Sequence, residues 1–476
     1  MSNLTSTIKS IQDIMRKDAG VDGDAQRISQ LGWMLFLKIF DEKENEWEII
    51  KDDYKSPVPK DLRWRTWAAD DEGLTGDQLL DFVNNSLFPR LKSLQLRGNK
   101  DAARMVRDVF EDSYNYMKSG TLLRQVINKI NKDIHLTTQA ERHSFNDIYE
   151  QILRDLQSAG NAGEFYTPRP ITQFIVEMVA PRLGEKVLDP ACGTAGFLTN
   201  VIDHITKTHG IRTLADRAKL QNSLWGVEKK PLPHMLATTN MILHGIETPS
   251  VDHDNLLGRS YLELTTQRVD VILTNPPFGG MEEDGVEKNF PQQFRTRETA
   301  NLFLALIIQM LKDGGRCGVV LPDGFLFGEG VATRIKETLL EKCNLHTIVR
   351  LPNGVFAPYT GIKTNLLFFE KGEPTKEIWY FEHPYPDGVK SYNKTKPINI
   401  KEFELEKEWW KNRVENQYAW KVSVDEIKKR NYNLDIKNQN TTEEKHQYTS
   451  VELFELLDES FMKSHQILYE LKKEMA

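Results

Sequence analysis

The stretch Lys186-Val187-Leu188-Asp189-Pro190-Ala191-Cys192-Gly193-Thr194-Ala195-Gly196-Phe197-Leu198 carries the strongest fold signal in the chain. The β-rich run 186–188 predicts a strand, the small residues after Asp189 predict a tight turn, and a helix starts near Phe197. Gly193 and Gly196 allow the backbone of such a turn to come close to a ligand. The stretch therefore predicts a strand, a turn and a helix with a ligand at the turn.

This turn does not match the common nucleotide fingerprints. It lacks the Gly-x-Gly-x-x-Gly pattern of dinucleotide-binding folds, and the chain shows no Gly-x-x-x-x-Gly-Lys-[Ser/Thr] P-loop. The next predicted strand ends at Gly226-Val227-Glu228. Because an acidic residue at that place can bind both hydroxyls of a ribose, Glu228 together with the preceding turn predicts a ribose contact.

From about residue 160, short β-rich runs alternate with helical stretches. The runs are 186–188, 224–227, 269–273, 318–321, 345–351 and 365–369. Such alternation predicts an α/β fold, with a mostly parallel, doubly wound, Rossmann-like sheet and helices on both faces. Ligands of these sheets bind at the carboxyl ends of the strands.

The run 269–274 ends at Asn275-Pro276-Pro277-Phe278. The two prolines fix φ and remove two N–H donors, so the backbone there offers carbonyl oxygens. The side-chain oxygen of Asn275 and the carbonyl of Pro276 can each accept a hydrogen from an exocyclic NH2 group, while Phe278 stacks on the ring that carries it. The motif predicts methylation of an amine, although in isolation it fits a proline-rich turn equally well.

Two further segments flank these motifs. Asp254 and Asn255 lie one strand after Glu228, where either side chain could reach the exocyclic amine and ring edge of an adenine. Ahead of the sheet, Gly163-Glu164-Phe165-Tyr166-Thr167-Pro168-Arg169-Pro170 predicts a loop that leads into a helix around 171–179, with Pro170 near the first turn.

Composition limits the class of protein. The 476 residues suffice for about three domains, and 39% hydrophobic content supports a sizeable core. We expect a cytoplasmic protein without a membrane span, because the apolar run 33–40 is short and interrupted and the first residues do not form a signal sequence. Three widely separated cysteines predict neither a disulfide framework nor a zinc site. A net charge of −7 indicates that a partner helps to hold any nucleic acid.

The chain divides into three predicted parts. Residues 1–155 are expected to form an N-terminal helical domain, since apolar residues recur there at helical spacing, and residues 156–400 form the α/β domain. Residues 401–476 form a C-terminal extension with a polar linker at 437–445 and a helical tail. The tail has an apolar stripe and a possible break at 460–464, and it either folds back or docks on a partner; the stripe comprises Leu453, Leu457, Phe461, Leu468, Leu471 and Met475.

In this order, the segments resemble the amino-methyltransferases that use S-adenosylmethionine, and most closely the modification subunits of type I restriction-modification systems. The resemblance covers most of the chain. It rests on Gly-Glu-Phe-Tyr-Thr-Pro-Arg at 163–169, Asp-Pro-Ala-Cys-Gly-Thr-Ala-Gly-Phe at 189–197 and Asn-Pro-Pro-Phe at 275–278. Further matches lie at 145–150, 301–304, 318–322, 351–356 and 359–365.

The resemblance implies transfer of a methyl group from S-adenosylmethionine to the N6 amine of adenine in DNA, without a metal. It implies a catalytic loop of Asn275, Pro276, Pro277 and Phe278, and an Asp189 that orients the turn and the methionine amino group. The other implied cofactor contacts are Glu164, Phe165, Tyr166, Thr167, Pro168, Arg169, Gly193, Thr194, Ala195, Gly196, Glu228, Asp254 and Asn255.

The resemblance also implies partners. These are double-stranded DNA, a specificity subunit that reads the DNA sequence, a second copy of the chain, and a restriction and translocase subunit. The residues themselves predict no cleavage activity, because Pro322-Asp323 has no suitably spaced Glu-x-Lys after it and no P-loop is visible.

Other functions remain open at this point. Cytosine N4 is also an exocyclic amine, and protein glutamine methyltransferases share an Asn-Pro-Pro-aromatic loop. Methylation of cytosine C5 is disfavoured, because it needs an attacking cysteine, usually after proline, and Cys192, Cys317 and Cys343 follow Ala, Arg and Lys. A non-catalytic DNA-binding or assembly subunit is the alternative outside the enzymes.

Overall fold

The computed structural model describes residues 2–96, 99–135, 149, 152, 166–393, 395–440 and 450–474. The first part is helical, as the spacing of apolar residues predicted. Ile8, Ile11 and Met15, which recur at helical spacing, are all buried on the first helix. The helices are α1 Ser2–Met15, α2 Asp24–Ile50, α3 Trp64–Trp67, α4 Gly76–Asp81, α5 Phe88–Lys92, α6 Lys100–Glu111 and α7 Gly120–Asp133.

Nine strands of the described residues form one sheet in the order β3-β2-β1-β4-β5-β7-β6-β8-β9. Strands β3, β2, β1, β4 and β5 run parallel, whereas β7 is antiparallel to both β5 and β6. The strands are β1 Val187–Asp189, β2 Leu224–Glu228, β3 Val251–His253, β4 Val269–Thr274, β5 Leu311–Pro322, β6 Cys343–Arg350, β7 Thr364–Lys371, β8 Glu377–Glu382 and β9 Ala419–Ser423.

Helices cover both faces of this sheet. Along β4, Val271 and Leu273 belong to one buried cluster and Ile272 to the other, because successive side chains of a strand point to opposite faces. This arrangement confirms the predicted doubly wound α/β fold. The helices are α8 Arg169–Val179, α9 Gly196–His209, α10 Leu214–Ser223, α11 Pro231–Leu243, α12 Thr299–Met310, α13 Asp323–Phe327, α14 Val331–Lys342, α15 Glu404–Lys411, α16 Val424–Lys429 and α17 Ser450–Glu474.

The helical region and the sheet region share a core. Met235 and Leu236 of α11 are buried in the same cluster as Trp33 and Phe36 of α2. Contact is close enough that a Cβ on Gly32 of α2 would lie 3.1 Å from the sulfur of Met235. Helix α11 also packs on β2 and β3. The helical region therefore contacts the sheet at the edge formed by β3.

The C-terminal part differs from the sequence prediction in two ways. Strands β8 and β9 were not predicted, and β9 extends the sheet beyond residue 400. The predicted break at 460–464 is wrong, because α17 is continuous through it. The Ser464 hydroxyl donates to the carbonyl of Ser460 at 2.9 Å, so the serine side chain is satisfied without interrupting the helix.

Helix α17 exposes apolar side chains. Leu457 is 50% and Phe461 66% exposed, and Leu453 and Leu468 of the predicted stripe are exposed as well. The side chain of Leu471 and residue 475 lie outside the part that the structure describes. None of the described helices is long and apolar enough to cross a membrane.

Candidate active site

A pocket opens at the carboxyl ends of β1 and β4. Strand β1 lies between β2 and β4, where the chain order of the sheet reverses, and this is where doubly wound sheets bind ligands. Six of the lining residues were predicted from sequence. The lining comprises Thr167, Asp189, Ala191, Cys192, Gly193, Thr194, Gly196, Phe197 and Asn275.

The turn after β1 is held in an unusual backbone conformation. Gly193 has φ 52° and Ala195 has φ 62°, both in the left-handed region. The carbonyl of Thr194 accepts a hydrogen bond from Asn240 Nδ2 of α11 at 2.9 Å. The strained Ala195 is therefore stabilised by contacts from a neighbouring helix, which fix the shape of the turn.

Gly196 leaves room for a protein side chain. A Cβ at residue 196 would overlap the guanidinium of Arg169, which also lies over the ring of Tyr166 at 5.5 Å. From the sequence, this glycine is predicted to allow close approach of a ligand. In the structure it admits Arg169, and through Arg169 it joins the segment before α8 to the turn, while Gly196 itself still lines the pocket.

Asp189 ends β1 and is 1% exposed. Burial raises the pKa of its carboxyl to about 7, and the charge of Glu228 acts in the same direction. The backbone N–H of Ala191 donates to Asp189 Oδ1 at 3.2 Å and opposes this rise. The carboxyl thus lies in a polar pocket where a cationic ligand group would stabilise its ionised form.

Glu228 links the ends of two strands. The N–H of Gly193 donates to Glu228 Oε2 at 3.0 Å, and the N–H of Lys230 donates to Oε1 at 2.7 Å. These contacts orient the carboxylate, whose oxygens can each accept more than one hydrogen bond. The carboxylate is therefore fixed beside the turn.

Asn275 presents a buried acceptor. Its Nδ2 donates to Thr167 Oγ1 at 3.0 Å, whereas its Oδ1 is buried and accepts no hydrogen bond from any described residue. A buried amide oxygen without a donor is costly, so a ligand that supplies a hydrogen at this pocket would stabilise it. Within the same motif Pro276 is buried, Pro277 is exposed, and Phe278 packs edge-on against Phe356 with ring centroids 5.7 Å apart.

Two predicted contacts are engaged elsewhere. Asp254 forms an ion pair with Arg259 at 2.6 Å. The Asn255 side chain caps the turn Leu256–Gly258 and donates to Glu282 at 3.2 Å. Neither is among the residues that line the pocket.

The segment before α8 is described only in part. Tyr166 is buried in the core of the helical region, and Pro168 caps α8. Glu164 and Phe165 lie outside the described residues. The predicted site residues that the structure brings together thus come from the turn, from β2 and from the two loops that carry Thr167 and Asn275.

Comparison with known proteins agrees with this geometry. The sequence profile of the N-6 DNA methylase family matches residues 140–447, and that of the HsdM N-terminal domain matches residues 4–130. The type I restriction enzyme EcoEI methylase subunit of Escherichia coli is 62% identical over 445 residues, which cover 92% of this chain and 90% of that protein.

Solved structures show the same likeness. The modification subunit of a type I restriction enzyme from Vibrio vulnificus has a TM-score of 0.83 at 44% identity, over 92% of this chain and 97% of that one. A chain from a study of complex assembly and conformational transition of the type I restriction-modification system has a TM-score of 0.81 at 38% identity, over 100% and 98% of the two chains. The chain therefore belongs to the N-6 DNA methylase family, among the type I restriction enzyme methylase subunits.

Proposed function

We propose that the chain transfers a methyl group from S-adenosylmethionine to the N6 amine of adenine in DNA. The observation that carries this proposal is the buried, unpaired Oδ1 of Asn275, at a pocket shared with the turn after β1. An exocyclic amine supplies the hydrogen that this oxygen lacks. The family to which the chain belongs supports the choice of N6 over cytosine N4 or a protein glutamine.

Residues that line the pocket, together with Glu228 beside the turn, fit the cofactor. The ionised carboxyl of Asp189 suits the methionine amino group, and the two oxygens of Glu228 suit the ribose diol. The turn 193–196 would lie against the methionine part, with Thr167 at the entrance to the catalytic loop. When bound, the cofactor supplies an electrophilic methyl group on a sulfonium.

The catalytic loop acts on the target amine. Asn275 Oδ1 and the carbonyl of Pro276 each accept one N–H of the amine, which localises the nitrogen lone pair toward the methyl group, and Phe278 stacks on the base. Because the adenine must leave the duplex to reach this loop, its entry requires flipping of the base. The residues therefore contribute orientation and proximity, and they form no covalent bond to the substrate.

Transfer of a radiolabelled methyl group to DNA tests the proposal. The full chain is assayed with its specificity subunit, and the DNA is digested to nucleosides. We expect the label in N6-methyladenine. Label in N4-methylcytosine, or in protein alone, would contradict the proposed substrate.

The partners form part of the same proposal. We infer double-stranded DNA as substrate, a specificity subunit for sequence recognition, a second copy of the chain, and a restriction subunit in the full complex. The support is the net charge of −7, the exposed apolar side chains of α17 and the likeness to a chain from a type I assembly. The division at residues 155 and 400 and a cytoplasmic location stay predictions.

Thr167 is expected to orient the amide of Asn275. Its hydroxyl accepts from Nδ2, so Oδ1 is left as the group that meets the amine. Thr167→Val removes the hydroxyl at nearly constant volume, and we expect the single-turnover rate at saturating cofactor to fall about tenfold, the effect of one lost hydrogen bond. Thr167→Ser should restore the rate, and a serine variant as slow as the valine variant would refute the orienting role.

The raised pKa of Asp189 predicts a pH-dependent cofactor affinity. Since its carboxyl has a pKa of about 7, binding of a cationic amino group below that pH must first release a proton. We expect affinity to weaken by up to about tenfold per pH unit below pH 7 and to level off above it, as measured by calorimetry. Asp189→Asn should bind weakly with no such dependence, whereas a parent profile that is flat between pH 5 and 8 would contradict the assignment.

The raised pKa of Asp189 also makes the stability of the fold depend on pH, but stability falls as pH rises, whereas cofactor affinity increases. The folded-state pKa lies above the ordinary value of 3.8, so the ligand-free fold holds this proton more tightly than the unfolded chain does. This carboxyl therefore lowers the stability of the ligand-free protein as pH rises from about 4 to about 7.

A further inference from the structure

Glu282 lies in the loop that joins the catalytic motif to α12, and it was not predicted from sequence. Its side chain is buried, with 9% of the residue exposed. Oε1 accepts from Thr299 Oγ1 at 3.3 Å, and Oε2 accepts from Asn255 Nδ2 at 3.2 Å and from Lys229 Nζ at 3.4 Å. One carboxylate thus contacts three separate segments.

Hydrogen bonds around Glu282 join the two ends of this loop. The N–H of Glu282 donates to the carbonyl of Arg297 at 2.9 Å, and Arg297 Nε donates back to the carbonyl of Glu282 at 3.1 Å. The N–H of Thr299 donates to the carbonyl of Gly280 at 3.0 Å. A Cβ on Gly280 would lie 2.9 Å from Thr299 Oγ1, so the glycine permits this close approach.

The partners of Glu282 adjoin the candidate cofactor residues. Lys229 follows Glu228 directly, and Asn255 belongs to the loop after β3. Glu282 itself lies seven positions after Asn275 in the loop after β4. The carboxylate therefore joins the loops that follow β2, β3 and β4, at the carboxyl ends of the strands where the pocket opens.

The contacts at Glu282 orient the loops but are individually weak. Each donor-acceptor distance is at the long end of the hydrogen-bond range, so no single contact is strong. Loss of the carboxylate would nevertheless leave Asn255 Nδ2 and Lys229 without this acceptor in a partly buried place. Glutamine can keep two of the contacts, since its amide oxygen accepts from Asn255 and its amide nitrogen donates to the Thr299 hydroxyl.

We propose that Glu282 is a positioning residue that holds the catalytic loop against the loops after β2 and β3, so that Asn275 keeps its place relative to the bound cofactor. This inference rests on the proposed function of the same pocket. Glu228, the proposed ribose contact, is held independently of Glu282, because the N–H groups of Gly193 and Lys230 donate to its carboxylate. Loss of Glu282 should therefore disturb the methyl-transfer step more than cofactor binding.

The test compares Glu282→Ala and Glu282→Gln with the control Glu283→Ala in the complex with the specificity subunit. Glu283 is 79% exposed in its side chain and also pairs with Lys229, at 3.2 Å. We expect Glu282→Ala to lower the single-turnover rate about 10- to 100-fold with cofactor Kd within about threefold, because small displacements of reacting groups have effects of this size. Glu282→Gln and Glu283→Ala should stay within about threefold of the parent rate.

Hydrogen exchange of the backbone amides at 279–298 provides a second measurement that needs no activity. These amides should exchange faster in Glu282→Ala and remain protected in the other two variants. A parent-like rate and exchange in Glu282→Ala, an equal loss in Glu283→Ala, or failure of glutamine to rescue would overturn the inference. A parallel loss of rate, cofactor affinity and melting temperature would show a general structural role and would also overturn it. An inactive parent complex would instead refute the proposed function.

Discussion

Asn275→Ala is expected to abolish methyl transfer while leaving cofactor affinity within a few fold. The substitution removes the buried Oδ1 that has no other donor among the described residues, and with it the acceptor that localises the lone pair of the amine. Loss of one preorganised group of this kind lowers turnover by about 10²- to 10³-fold, or roughly 3 to 4 kcal/mol of transition-state stabilisation. Single-turnover transfer of labelled methyl groups and calorimetric titration of the cofactor would measure the two effects separately.

Asn275→Asp is the matched control. A carboxylate keeps an acceptor at the same distance from the backbone, so this variant should retain more transfer than the alanine variant. Alanine at near the parent rate would show that the amide does not act on the target. Loss of transfer and of cofactor binding by the same factor would place Asn275 in the cofactor site instead.

Removal of residues 445–476 is expected to abolish assembly with the specificity subunit and DNA methylation together. The described side chains of α17 are exposed, so their loss uncovers little of the core. We therefore expect an intact fold, with melting temperature and cofactor affinity close to those of the full chain. An apolar helix face of this kind is suited to packing against helices of another subunit.

Single substitutions refine this experiment. Leu457→Glu and Phe461→Glu place a charge on the exposed apolar stripe and should weaken assembly, whereas Lys463→Glu alters an exposed charge of the same helix and should not. Size-exclusion chromatography with the partner would measure assembly. A truncated chain that still forms an active complex would contradict the role of α17 in docking.

The pocket was largely predictable because its parts are local in sequence. The stretch 186–198 predicts a strand, a turn of small residues and a helix. Ligands of such sheets bind at the carboxyl ends of the strands, and Asp189 and Asn275 both line the pocket there. The family and the fold class were predicted correctly. The roles assigned to individual residues stay predictions.

Contacts between distant segments were not predictable in this way. Nothing near Gly196 in sequence shows that it must admit Arg169, and nothing near Asn240 shows that it supports the carbonyl of Thr194. The ion pair of Asp254 with Arg259, five residues later, was likewise not predicted, and the adenine contact of Asp254 stays a prediction. The contacts of Glu282 were not predictable, because Lys229 and Asn255 belong to other loops that only the folded sheet brings together.

Strands β8 and β9 were missed for a related reason. Their residues Glu377–Glu382 and Ala419–Ser423 pair with each other across the intervening α15, so neither shows a nearby partner in sequence. Strand β7 pairs antiparallel with one side of β6, and β8 then pairs parallel with the other side. Local patterns do not specify such an arrangement.

Sequencing of modified bases in cellular DNA tests the central claim most directly. A host without other adenine methylases would carry the chain together with its specificity subunit, and parallel cultures would carry the Asn275→Ala variant or the chain alone. The account predicts N6-methyladenine at one defined sequence with the intact pair, and at none in the other two cultures. Methylation of another base, or N6-methyladenine at the same sites with the Asn275→Ala variant, would contradict it.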